Sequence, residues 1–228
     1  MKIKSKIILP HIYLLTFKTQ YELCMSFVRM QEFYESPSNK FRGKYFTLEE
    51  YMDYWSLEFG KGSFTYPSAW SGFNIPSSVF KEWRKVFFSN SSILAGLRDR
   101  EIAVVDEIDM LRSREKDMRI VGEEYYIIAV HNQNDEVDST KDIIAHETAH
   151  ALYSLYPEYK NSCKELLKGV PKKEIKADSK ALLSMGYSKE TLKDELQAYY
   201  SWKNDTINVR PEFVSNFREF KKKIRKGK

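Results

Sequence analysis

Glycine is scarce in this sequence, nine residues among 228, which argues against a glycine-rich nucleotide-binding loop or a repeat architecture. No internal period marks a solenoid or a propeller. Cysteine is limited to Cys24 and Cys163, neither at metal-type spacing. Two thiols in a chain this long form no disulfide framework and favour a reducing, cytoplasmic setting. No apolar run reaches the length needed to span a bilayer. The N-terminal "MKIKSKIILPHIYLLTFK" invites comparison with an export signal, since Lys precedes an apolar run. It contains Pro10 and His11 and lacks a small-x-small cleavage site, so a buried strand at Ile12 to Phe17 fits it better.

A globular composition remains, 42% hydrophobic and 14% aromatic, with enough apolar content to build a core. The length allows one sizeable core or two lobes sharing a cleft. The expected layout is a single compact domain over 1–217, with an aromatic-rich lobe at 1–92 and a second lobe at 93–217, followed by a tail at 218–228. The net charge of +5 hints at nucleic acid until it is located. Residues 218–228, "REFKKKIRKGK", carry seven Lys or Arg against one Glu, which leaves the other 217 residues close to neutral. The basicity is therefore a tail, read as a solvated, frayed helix end, with acidic lipid or nucleic acid as the alternative.

Apolar spacing through Leu23, Phe27, Met30 and Tyr34 predicts a first helix. Thr47 as N-cap, with Glu49 and Glu50 behind it and Gly60 as a stop, predicts a second. "GSFTYPSAWSGFNIPSS" reads as turns and short strands, and "SSVFKEWRKVFF" as a further helix. Residues 93–118 fit either a helix or a strand at Ile102 to Val105. "EEYYIIAV" is the clearest strand, β-branched and aromatic.

"DIIAHETAHALYSLYP" carries the chemistry. Ser139 and Asp142 resemble a capping box, so a helix starts near Thr140, and Pro157 ends it at Tyr156. At about 100° per residue, His150 lies about 40° from His146 and Glu147 about 100° from it. Both imidazoles share one face with Glu147 on its flank. Two His at i and i+4 can bind one zinc ion, and the intervening Glu can take a proton from water. The plainer alternative is a pair of hydrogen-bonded core histidines. Zinc needs a third protein ligand. "SKETLKDELQAYYSW", capped by Ser188, has an apolar stripe through Leu192, Leu196 and Tyr199, and Glu195 is embedded beside it. Asp194 falls on the opposite side and is expected to face solvent. A carboxylate on an inward face is costly unless paired or metal-bound, so Glu195 is the candidate ligand, with Glu158, Glu165 and Asp194 behind it.

HETAH followed by a Glu on a second helix resembles the gluzincin branch of the zincin metallopeptidases. "ExxA", Glu195 to Ala198, is similar to the second helix of several gluzincin families, and the match covers about residues 125–203. The resemblance implies an α+β, zincin-like fold with one zinc per chain on His146, His150 and Glu195, and Glu147 as general base. It also implies peptide or protein as substrate. Where these families often place an acidic residue after the third ligand, this sequence has Tyr199, which leaves the partner that orients an imidazole unassigned. The N-terminal half is similar to segments that accompany HExxH in microbial proteins, and that likeness names no substrate.

Tyr187, Tyr199, Tyr200 and His131 are the candidate donors to a developing oxyanion, each with a packing or surface role as its plainer alternative. The strand at Tyr125 to Val130 is expected to be an edge that could pair with an extended peptide. Against the peptidase stands a zinc-containing protein-binding module without catalysis, in which Glu147 has no purpose. A third reading makes the tail a nucleic-acid contact, which the near-neutral body disfavours.

Overall fold

The computed structural model describes residues 2–89, 96–117, 122–132, 140–204 and 206–227. Among these the chain is α+β, a small four-stranded mixed sheet accompanied by nine α-helices. The described residues cluster into two compact units, Met1–Glu136 and Val137–Lys228. The expected boundary at 92/93 is thus replaced by one at 136/137. The reason lies in helix α4, Asp99–Asp117, which buries Val104, Val105, Ile108 and Leu111 in the core of the first unit.

In the first unit, β1 (Lys4–Leu9) and β2 (Ile12–Phe17) form an antiparallel hairpin. β4 (Tyr126–His131) pairs in parallel with β2, from Ile12 opposite Tyr126 to Phe17 opposite His131. β3 (Gly72–Pro76) lies antiparallel on its other side. The strand order β1-β2-β4-β3 makes β4 a central strand. The expectation of a peptide-pairing edge at Tyr125 to Val130 is therefore wrong, because both of its hydrogen-bonding sides are taken. Five of its six residues are buried, which is why it reads as a continuous apolar run.

The turn of the hairpin is held from outside. His11 adopts a left-handed φ of 62°, an uncommon conformation for a residue with a side chain. Glu115 of α4 accepts from the His11 backbone N–H at 2.6 Å and the Tyr13 hydroxyl at 2.6 Å, and its carboxylate lies 3.1 Å from His11 Nδ1. Three partners for one buried carboxylate offset its desolvation.

Helices α1 (Gln20–Glu35), α2 (Leu48–Glu58) and α3 (Ser77–Ser89) complete the unit. Thr47 and Glu50 close a reciprocal capping box at the start of α2. The abundant aromatics fill this core: Phe27 stacks on Phe73, Trp83 on Phe87, and Phe41 packs edge-on against Phe46 and Tyr51. No strand forms at Ile102 to Val105, since those residues lie within α4.

The second unit is helical: α5 (Thr140–Leu155), α6 (Pro157–Gly169), α7 (Lys172–Ser184), α8 (Leu192–Ser201) and α9 (Pro211–Arg225). Pro157 ends α5 as expected and sits in the first turn of α6, where its missing N–H costs nothing. Ser139 lies outside the described residues. α8 packs against α5, α6, α7 and α9, so it has no solvent side along most of its length. The basic tail is largely ordered helix: Phe213 and Phe217 of α9 are buried, and Phe220 packs on Tyr156 and Tyr159. No described helix is long and apolar enough to cross a membrane.

Candidate metal centre

α5 and α8 bring three ligand-capable side chains to one point. Ala145, Ala149 and Ala151 of α5 and Ala198 of α8 are buried, and side chains this small leave room for close helix packing. His146 Nε2 and His150 Nε2 lie 3.1 Å apart. Glu195 Oε2 lies 3.5 Å from His150 Nε2 and 3.9 Å from His146 Nε2. A triangle with those sides has a centre roughly 2.1 Å from each corner, the ligand distance of zinc to imidazole and carboxylate.

Two further observations test whether a cation fits. Glu195 Oε2 is buried and has no hydrogen-bond partner among the described residues. A buried carboxylate oxygen left in that state is costly, and a cation at the centre would satisfy it. His150 Nδ1 meets Asp194 Oδ1 at 2.9 Å. A carboxylate only accepts, so Nδ1 donates to Asp194, and Nε2 is the nitrogen that faces the cluster. Two nitrogens and one carboxylate oxygen suit zinc.

The electrostatics follow from burial and neighbours. Burial, and then the charge of His150, push His146 down to about 3. Burial also opposes charge on His150, but Asp194 and Glu195 overcome it and hold its pKa well above the ordinary value. The structure corrects the expected position of Asp194. Although partly exposed, its carboxylate turns to the His150 ring and supplies the imidazole partner that the sequence left unassigned. Projection on a single apolar stripe failed because residues 195–201 of α8 are all buried, so the side opposite the stripe is interior too. The start of α8 also moves inward: Ser188 does not cap it, and Thr191 occupies the N-cap without a side-chain cap bond.

Glu147 stands on α5 next to His146 and is partly buried. Tyr199 packs edge-on against the His146 ring, with centroids 4.8 Å apart, and its hydroxyl meets that of Tyr187 at 3.1 Å. Burial first, and with it the charges of Glu195 and Glu147, raises the pKa of both phenols, so both remain protonated. Of the other candidate donors, Tyr200 is fully buried and donates to Asp178 at 2.6 Å, a packing role. His131 ends β4 in the first unit. Sequence reasoning missed Asp194 and the buried Gln197 behind it. The available signal was their i, i+3 spacing on a helix whose flanks are otherwise apolar.

No protein-family model matches the chain, and no curated protein or solved structure shows significant similarity to it.

Proposed function

We propose that this protein is a zinc-dependent metallopeptidase, with His146, His150 and Glu195 holding the ion and Glu147 as general base. The observation that carries the reading is the convergence of the three ligand atoms around one point, with Glu195 Oε2 buried and without a hydrogen-bond partner among the described residues. Bound there, zinc supplies Lewis acidity, which polarises a carbonyl and acidifies water.

The chain's own groups supply the rest. Glu147 accepts the proton of the attacking water and passes it to the departing amine. Tyr187 and Tyr199 remain protonated beside the cluster, and their paired hydroxyls can donate to negative charge that develops on a carbonyl oxygen. Asp194 holds His150 in the tautomer that a ligand needs. Peptide or protein is the substrate class. The two free cysteines are buried, with thiols that burial pushes up to about 12, which fits a cytoplasmic protein with no disulfides.

The test compares wild type with Glu147→Gln by mass-spectrometric identification of cleavage products in a cell extract. Glu147→Gln should retain zinc and fold while losing on the order of a hundredfold or more in cleavage rate. Equal product formation by the two proteins would refute the general-base role. Zinc retention without cleavage by the wild type would favour the non-catalytic zinc module.

A further inference from the structure

A chain of polar groups runs outward from the candidate centre through the buried Gln197 of α8. Asp194 Oδ1, which meets His150 Nδ1 at 2.9 Å, also accepts from Gln197 Nε2 at 2.9 Å. Gln197 is fully buried. Its Oε1 accepts from the Tyr159 hydroxyl at 3.1 Å and from the Cys163 thiol at 3.8 Å. The Cys163 sulfur accepts in turn from Asn216 Nδ2 at 3.5 Å.

The direction of this chain is fixed by its ends. Asp194 can only accept, so the amide must present its NH2 to it. The Tyr159 and Cys163 hydrogens then meet the carbonyl side. No other orientation of the Gln197 amide satisfies all three neighbours, and a wrong one would leave buried polar groups unpaired. Asp194 is partly exposed, 33% by side chain, and it sits in the first turn of α8 where water could compete for its carboxylate. An amide donor one turn on, locked by α6, removes that freedom.

We propose that Gln197 is a positioning residue for His150: it aims the Asp194 carboxylate at Nδ1, and so fixes which nitrogen His150 turns toward His146 and Glu195. The proposal deepens the metal-centre reading and rests on it for one of its two tests. The structural alternative is that Gln197 only satisfies buried groups between α6 and α8, with no effect on His150.

The first test needs no metal. A hydrogen-bonded Nδ1–H gives a downfield, slowly exchanging proton resonance, assigned to His150 by its loss in His150→Ala. Wild type should show it, Asp194→Asn should weaken it, and Gln197→Leu should shift it upfield and speed its exchange. An unchanged resonance in Gln197→Leu overturns the proposal. The second test measures zinc affinity by competition with a chromophoric chelator. Asp194→Asn should cost roughly 10- to 100-fold, as loss of an outer-shell partner typically does. Gln197→Leu should cost less, and the double variant no more than Asp194→Asn alone, because Gln197 acts through Asp194. Losses that multiply in the double variant would overturn the proposal. If Gln197→Leu does not fold, Tyr159→Phe releases the carbonyl end of the amide at nearly constant volume and should move the same resonance in the same direction; no movement there overturns the proposal as well. A wild type that takes up no zinc but shows the expected resonance pattern would sink the metallopeptidase reading and leave the positioning role standing.

Discussion

At the scale of single residues, the neighbours Asp194 and Glu195 take different parts in one site. Glu195 reaches the cluster with a buried oxygen that no described group hydrogen-bonds, and Asp194 reaches around to the far side of the His150 ring. The triad was legible in the sequence, because i, i+4 spacing fixes two imidazoles on one face and a carboxylate on an inward face demands a partner. The outer residue was not legible. Helical projection separates positions by about 100°, yet a side chain at a helix start can turn back toward a neighbouring helix. The residue-scale prediction concerns Glu195→Gln, which keeps the shape and removes the charge. At zinc about 100 times its dissociation constant, the wild type should gain about 2.7 kcal/mol of stability, read as a rise in melting temperature. The variant should gain far less. An equal gain in both would exclude Glu195 as a ligand.

At the scale of elements, local signals worked where one residue decides the outcome. Thr47 caps α2 and Pro157 separates α5 from α6 for reasons visible in a few residues. Replacing Thr47 by Ala should destabilise the first unit by about 1 kcal/mol, measured by urea unfolding, since it opens both bonds of the capping box. The sheet order was not legible, because nothing local to Tyr126–His131 states that β2 and β3 flank it. The β1 strand and its tight turn were also missed, since the carboxylate that secures the turn is 104 residues away. Glu115 makes that clamp sensitive to acid. Burial raises its pKa, but the hydrogen bonds from His11 and Tyr13 outweigh burial and leave it below the usual carboxylate value. A carboxylate depressed in the folded state stabilises above its unfolded pKa of about 4.3 and loses that stability as pH falls through the folded value. The stability difference between wild type and Glu115→Gln should therefore be full near neutral pH and shrink below about pH 4. A difference independent of pH would exclude the ionised clamp.

At the scale of the whole molecule, the chain divides its work between an aromatic sheet-and-helix unit and an all-helical unit that carries the entire candidate site. Composition located the basic charge correctly in the C-terminal residues, but the tail is anchored: Phe213 and Phe217 hold α9 to the second unit. That anchoring was hidden because the charge run masks an aromatic at every third or fourth position. Zinc should accordingly slow amide exchange in α5 and α8 and leave β2 and β4 unchanged, read by hydrogen exchange with mass spectrometry. Protection confined to the first unit would place the metal elsewhere. The most direct measurement is X-ray absorption at the zinc edge on the intact, zinc-loaded chain. The proposed centre implies about one zinc per chain, with two imidazole nitrogens and carboxylate oxygen at roughly 2.0–2.2 Å and no sulfur. A sulfur shell near about 2.3 Å, or fewer than two imidazoles, would contradict the His146, His150 and Glu195 centre.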